Sequence, residues 1–241
     1  MKRPKRWVLS LITVIVVVAF AMPAAAVSFG TNLIVNGNAE AGAGSSDGSV
    51  VAVPSWTTTS NFTVVQYGAS GGFPTATDPG PADRGLNFFA GGPDNDSSSA
   101  SQSIDVSGSP EIAAGAVTFT LSGFLGGFLS QADNAVLTAR FIDVPSSMIL
   151  GSTSIGPVTN VDRGGATGLL FRSAVGSIPA ATDRIDLVLQ MTRLSGTYND
   201  GYADNLSLVL DSPLQAVPEP STVLLLTAAG SGALVWRRRR R

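Results

Sequence analysis

Between Val27 and Pro213 apolar residues recur at every second position, in short runs separated by turn residues. That period belongs to half-buried β-strands, and helical periodicity is almost absent. Val117-Thr118-Phe119-Thr120-Leu121-Ser122 alternates cleanly and sets Val117, Phe119 and Leu121 on one face. Ala135–Val144 is a second run, with Leu137, Ala139 and Phe141 opposed to Val136, Thr138 and Arg140. Arg184–Arg193 is a third, with Ile185, Leu187, Leu189 and Met191 inward, and Leu206, Leu208 and Leu210 mark a fourth. Weaker strands are expected over Asn32–Val35, Phe62–Gln66, Ser101–Val106, Ile149–Ser154 and Leu169–Ser173. About nine strands without helices predict an all-β domain, two antiparallel sheets packed as a β-sandwich.

Two segments break the pattern. Gly68–Arg84 holds Pro74, Pro79 and Pro81 with Gly68, Gly71, Gly72 and Gly80, and Gly91–Ser99 reads Gly-Gly-Pro-Asp-Asn-Asp before three serines. Both read as long loops, either a binding rim or mobile connections.

The two ends follow other rules. Lys2, Arg3, Lys5 and Arg6 precede an uncharged apolar run from Trp7 to about Met22, and Ala24-Ala25-Ala26 follows. Charge, apolar run and small residues are the layout of a secretory signal peptide, with Ala24 and Ala26 at the −3 and −1 positions and cleavage before Val27. At the other end, Pro218 and Pro220 fix two φ angles and bias their predecessors away from the helix. An apolar helix is expected from about Ser221, a suitable N-cap, to Trp236. Those 16 residues carry no charge, whereas a spanning helix needs about 20. Pro220 and the snorkelling stems of Arg237 and Arg238 extend it, and the arginines to Arg241 hold the cytoplasmic side. The chain divides into a signal segment (1–26), a β-sandwich (27–213) and a tail (214–241).

Setting the ends aside changes the charge. The chain has 15 basic and 17 acidic residues, and nine of the basics lie in the first six and last five positions. Six arginines and 16 acids remain in the body, a net charge near −10 without lysine. Such a surface repels nucleic acid and suits divalent cations. There is no cysteine and no histidine. This removes disulfides, thiolate metal sites, Ser-His-Asp and Cys-His catalysis and most zinc chemistry. Carboxylate chemistry stays open, but no acidic pair sits in a motif, so a carboxylate-dependent glycan-active enzyme is the least favoured reading.

Val217-Pro218-Glu219-Pro220-Ser221-Thr222, the Leu224-Leu225-Leu226 and Gly230-Ser231-Gly232 stretch and the terminal arginines stand in one order. This tail resembles the PEP-CTERM sorting signal. The resemblance implies export in a Gram-negative bacterium that makes extracellular polysaccharide. It also implies transient anchoring in the inner membrane, recognition by an exosortase and loss of the residues beyond about Pro220.

Asn32-Leu33-Ile34-Val35-Asn36-Gly37-Asn38-Ala39-Glu40, Val53-Pro54-Ser55-Trp56 and Tyr202-Ala203-Asp204-Asn205-Leu206-Ser207-Leu208 carry a second resemblance. They are similar to the opening strand, Pro-x-Trp element and closing strand of galactose-binding-like jelly rolls, common among carbohydrate-binding modules. Ala39 stands where those domains usually have Phe. The resemblance implies a structural Ca²⁺ held by Glu40 and Asp204 with help from Asn38; the alternative is that these carboxylates only bond turn amides. Trp56 is expected in the core. Tyr67, Tyr198 and Tyr202 are the candidates for an exposed sugar platform, Tyr198 and Tyr67 foremost. Asp94-Asn95-Asp96, Asp47, Asp78 and Asp83 read as turn formers.

The expected function is a non-enzymatic protein of the cell envelope or matrix, structural or adhesive within exopolysaccharide. The alternative is a carbohydrate-binding module with a defined glycan. The expected partners are an exosortase and extracellular polysaccharide, with no nucleic acid.

Overall fold

The computed structural model describes residues 27–212. They form β1 (Thr57–Thr59), β2 (Thr63–Gln66), β3 (Asn87–Pro93), β4 (Ser97–Asp105), α1 (Pro110–Ala113), β5 (Thr118–Gly127), β6 (Asn134–Asp143), β7 (Met148–Ile155), β8 (Gly168–Ser177), β9 (Arg184–Thr192) and β10 (Tyr198–Asp211). The strands make two antiparallel five-stranded sheets, ordered β1-β4-β9-β6-β7 and β2-β3-β10-β5-β8. This is the two-sheet sandwich that the alternation predicts. The signal segment, the apolar helix at about 221–236 and the terminal arginines lie outside the described residues. No helix among the described residues is long and apolar enough to cross a membrane.

The four strongest alternating runs became the best-packed strands. Phe119, Leu121 and Leu125 of β5 meet Leu137, Ala139 and Phe141 of β6, Ile185 to Met191 of β9 and Leu206, Leu208 and Leu210 of β10. Each large apolar side chain buried there contributes about 1.5–3 kcal/mol. β9 and β10 sit mid-sheet, bonded on both edges. The short helix α1 starts where the Ser109 hydroxyl accepts from the Ile112 amide and Pro110 fills the first turn.

Three expectations need correction. Gly91–Ser99 is not a long loop but a hairpin: β3 runs to Pro93, β4 starts at Ser97, and Asn95 Nδ2 donates to the carbonyls of Gly91, Gly92 and Pro93. β3 escaped the pattern because Phe88, Phe89 and Ala90 are buried in succession. A strand covered on both faces has no alternation to show. Second, Asn32–Val35 is not a ladder strand, although it lies against β10. Asn32 Oδ1 accepts from the Leu208 amide at 2.9 Å and Nδ2 donates to the Leu206 carbonyl at 3.0 Å. The side chain takes the place of a backbone peptide there, so only an isolated bridge to Val209 forms.

Third, Gly68–Arg84 is not a free connection but a packed segment. It straps the second sheet on the face away from the main core. Phe73 packs there with Val65, Phe88, Ala90, Leu169 and Tyr202. The Pro79 carbonyl accepts from Leu169 of β8 at 2.8 Å, so the strap reaches the far edge of the sheet. Arg84 ties it back by donating to the carbonyls of Pro81 and Thr75. The extra layer gives this sheet two apolar faces where a simple sandwich has one.

Candidate functional site

Glu40 is bonded to Asn87 and Asp204 to Tyr67. Glu40 Oε1 accepts from the amides of Leu86 at 2.8 Å and Asn87 at 2.7 Å, pinning the end of the strap to the start of β3. Asp204, on β10, is fully buried. Its Oδ2 accepts from the Tyr67 hydroxyl at 2.7 Å and its Oδ1 from the Asn205 amide at 2.7 Å. Burial pushes the Asp204 carboxyl up to about 7, against the pull of those two donors and with the charges of Glu40 and Asp83 adding to the rise. Asn38 Oδ1 accepts only a long bond, 3.5 Å, from the Glu40 amide.

Ca²⁺ takes six to eight oxygens. Here Oε1 of Glu40 and both oxygens of Asp204 already serve protein donors. Among the described residues no group of three or more His, Cys, Asp or Glu is placed to hold a metal ion. The geometry fits a pair of carboxylates that brace turns.

Tyr67 and Tyr198 do not form the exposed platform expected of them. Tyr67 packs on Phe88 with ring centroids 4.9 Å apart and lies under the Arg84 guanidinium at 5.1 Å. Tyr198 meets Phe73 edge-on at 5.1 Å, and its hydroxyl is buried without a hydrogen-bond partner among the described residues. Tyr202 is fully buried. The strap covers all three, and burial raises each phenol well above its usual range. Trp56 is in the core as expected, edge-on to Phe89 at 5.6 Å, with Nε1 donating to the Asn36 carbonyl. Asp47 and Asp78 act as turn formers, Asp47 accepting from Ser45 and Ser49 and Asp78 from Thr75, whereas Asp96 pairs with the distant Arg193 and Asp83 accepts from Asn205.

A second buried polar group had no signature in the sequence. Asp133 is fully buried and accepts from the amides of Leu194, Ser195 and Asp200 at 2.7, 2.9 and 3.0 Å. Asp200 accepts from the Tyr202 hydroxyl, and burial pushes its carboxyl up to about 6. Arg163, buried nearby, donates to the carbonyls of Leu129, Ala166 and Gln131. These groups lie far apart in sequence and only the fold brings them together. Most of their bonds go to backbone around the start of β10, which is a bracing role.

One polar cleft, about 430 Å³, opens beside the β10 bulge. Asn38, Asp83, Phe124, Asn205 and Ser207 line it, with Gly37 at its back. Asn205 takes a left-handed φ of 48° there. Gly37 is required: a Cβ would lie 2.2 Å from the Leu206 carbonyl oxygen.

Residues 216–241 match the PEP-CTERM protein-sorting motif. No curated protein matches the chain in sequence. Among solved structures, the chain is similar to the enzymatically active domain of tailspike protein 4 of bacteriophage CBA120, with 16% identity and a TM-score of 0.47 over 75% of this chain. It spans only 21% of that tailspike chain. It is similar to a family 16 carbohydrate-binding module, with 19% identity and a TM-score of 0.45, covering 74% of this chain and 99% of that one. A xylan-binding domain of family 22 gives 12% identity and a TM-score of 0.37, covering 68% of this chain and 92% of that one. The chain carries a PEP-CTERM sorting motif behind a two-sheet β-sandwich whose structural neighbours are carbohydrate-binding-module jelly rolls.

Proposed function

We propose that the protein is a non-enzymatic, polysaccharide-contacting component of the cell surface or extracellular matrix, exported and then released from a transient inner-membrane anchor by an exosortase. The match of residues 216–241 to the sorting motif carries this reading. The body supports it. Its buried carboxylates bond backbone amides and tyrosine hydroxyls, as bracing groups do. The outer face of the first sheet is hydroxyl- and amide-rich, with Ser99, Ser101, Thr138, Ser154 and Gln190 on neighbouring strands. Such a face suits hydrated polysaccharide and gives a structural or adhesive role within the matrix.

The test is intact-mass analysis of protein from the extracellular fraction of a producing strain, with and without its exosortase. The expected product starts at Val27 and ends near Pro220; without exosortase the protein stays with the inner membrane and keeps Arg241. An extracellular protein that retains Arg241 overturns the processing step.

A further inference from the structure

The cleft beside β10 combines uncommitted polar groups with an aromatic side chain. Asn32 and Asn36 border the cleft, but both amides are committed to the chain. Asn32 bonds Leu206 and Leu208, and Asn36 donates to the Pro54 carbonyl and accepts from the Ala41 amide. By contrast, Asn38 Nδ2 and the Ser207 hydroxyl have no hydrogen-bond partner among the described residues. Asn205 Nδ2 donates to Asp83 Oδ1 at 2.9 Å, which leaves Asn205 Oδ1 and Asp83 Oδ2 as open acceptors. Donors and acceptors of this mixture match a ring of hydroxyls, each of which both donates and accepts.

The aromatic side chain is Phe124 of β5, which lines the cleft. Its ladder partner on β8 is Phe171, edge-on with ring centroids 5.4 Å apart. Phe171 is 53% exposed, on the same outer face of the second sheet. The strapped cluster packs against one side of Phe124, which stays partly buried, and does not include Phe171. An apolar ring edge beside open hydrogen-bonding groups, in a cleft of about 430 Å³, falls within the usual size and make-up of ligand sites. The lining has a carboxylate, Asp83, and no basic side chain, which disfavours an anionic ligand.

We propose that this cleft binds a neutral pyranose residue of an extracellular polysaccharide. Phe124 and Phe171 pack on its C–H face, and Asp83, Asn205, Asn38 and Ser207 bond its hydroxyls. The assignment rests on the polysaccharide-contacting reading above and adds the location and the sugar class.

The test is affinity electrophoresis of the mature protein in gels holding neutral glucan, mannan, galactan or xylan, with alginate as the anionic probe. The wild type is expected to be retarded by at least one neutral polymer and not by alginate. Asn38→Ala alters an exposed side chain and keeps the wild-type Tm, while Phe171→Ala gives up the contact with Phe124 and lowers the Tm by a few degrees at most, leaving the protein folded. Each is expected to weaken retardation, about tenfold in Kd for the aromatic change. Val161→Ala, on an exposed loop, serves as the control and binds as the wild type does. If the wild type binds a neutral polymer and both variants bind it equally well, the cleft is not the site, although the protein still contacts polysaccharide. Retardation by alginate alone refutes the neutral-sugar assignment. No retardation by any polymer refutes both the site and the reading beneath it.

Discussion

Replacing Asp204 by Asn tests whether the buried carboxylate is held neutral. Asp204 has no solvent exposure, and burial, its largest influence, pushes its carboxyl from 3.8 up to about 7. Glu40 and Asp83 add negative potential, while the Tyr67 hydroxyl and the Asn205 amide act the other way. The sign follows from linkage. Below pH ~4 both the folded and unfolded chains carry the proton, so the group contributes no difference. Between pH ~4 and about 7 the unfolded chain has lost the proton and the folded chain keeps it. Stability therefore falls as pH rises through that window and stays at its lower level above it. A rise of roughly three units corresponds to about 4 kcal/mol at most. For a domain of this size that is on the order of 10 °C in Tm.

Asn at position 204 keeps an oxygen for the Asn205 amide and an NH₂ for the Tyr67 oxygen, without a charge to bury. The measurement is Tm by scanning calorimetry from pH 4 to 8, for wild type and Asp204→Asn. The difference between the two proteins is the readout, because it cancels the other groups. Asp200 pulls in the same direction, with its carboxyl at about 6. Asp47, Asp105 and Asp162 pull the other way, their carboxyls lowered chiefly by hydrogen bonds from Ser49, Ser107 and Thr159. The variant is expected to gain on the wild type steadily between pH 4 and 7. A difference that stays constant across the range refutes a neutral Asp204.

Two further outcomes follow from the same region. Gly37→Ala places a methyl 2.2 Å from the Leu206 oxygen and pushes the 32–38 segment off β10; a loss of about 1–3 kcal/mol is expected, seen as a Tm lower by several degrees. An unchanged Tm would mean that the segment docks more loosely than the bonds of Asn32 imply. EDTA is expected to leave the Tm of the mature protein unchanged, because protein donors already occupy the oxygens of Glu40 and Asp204; a fall that Ca²⁺ reverses would restore the calcium assignment.

The strands that the sequence revealed are those with one wet face. β5, β6 and β9 alternate, and each was legible within a few residues. β3 was hidden because Phe88 faces the strapped layer while Phe89 faces the main core. No local pattern distinguishes that from a loop bordered by Gly91-Gly92-Pro93. β1 was missed for the opposite reason: Thr57–Thr59 is exposed throughout and pairs only with β4. Of the candidate site residues, Glu40 is near enough to Asp204 for its charge to add to the rise of that carboxyl, and each serves its own protein donors. Asn38 joins the cleft instead, and the tyrosines are covered. Phe171 gave no signal at all, since an aromatic in an alternating strand reads as core until its neighbours are known.

The sequence by itself determined the architecture, the acidic body without histidine or cysteine, and the sorting tail. These are local or compositional properties: a period of two, a residue count, an ordered motif. Tertiary structure decided what each loop and polar side chain does. A strap laid across the second sheet packed the candidate binding tyrosines into a second apolar layer and left Phe171 exposed at its margin. A bulge at Asn205, held against Gly37 from the far end of the domain, made the cleft. Neither result can be read from neighbours along the chain, because each depends on residues more than a hundred positions apart meeting at van der Waals distance.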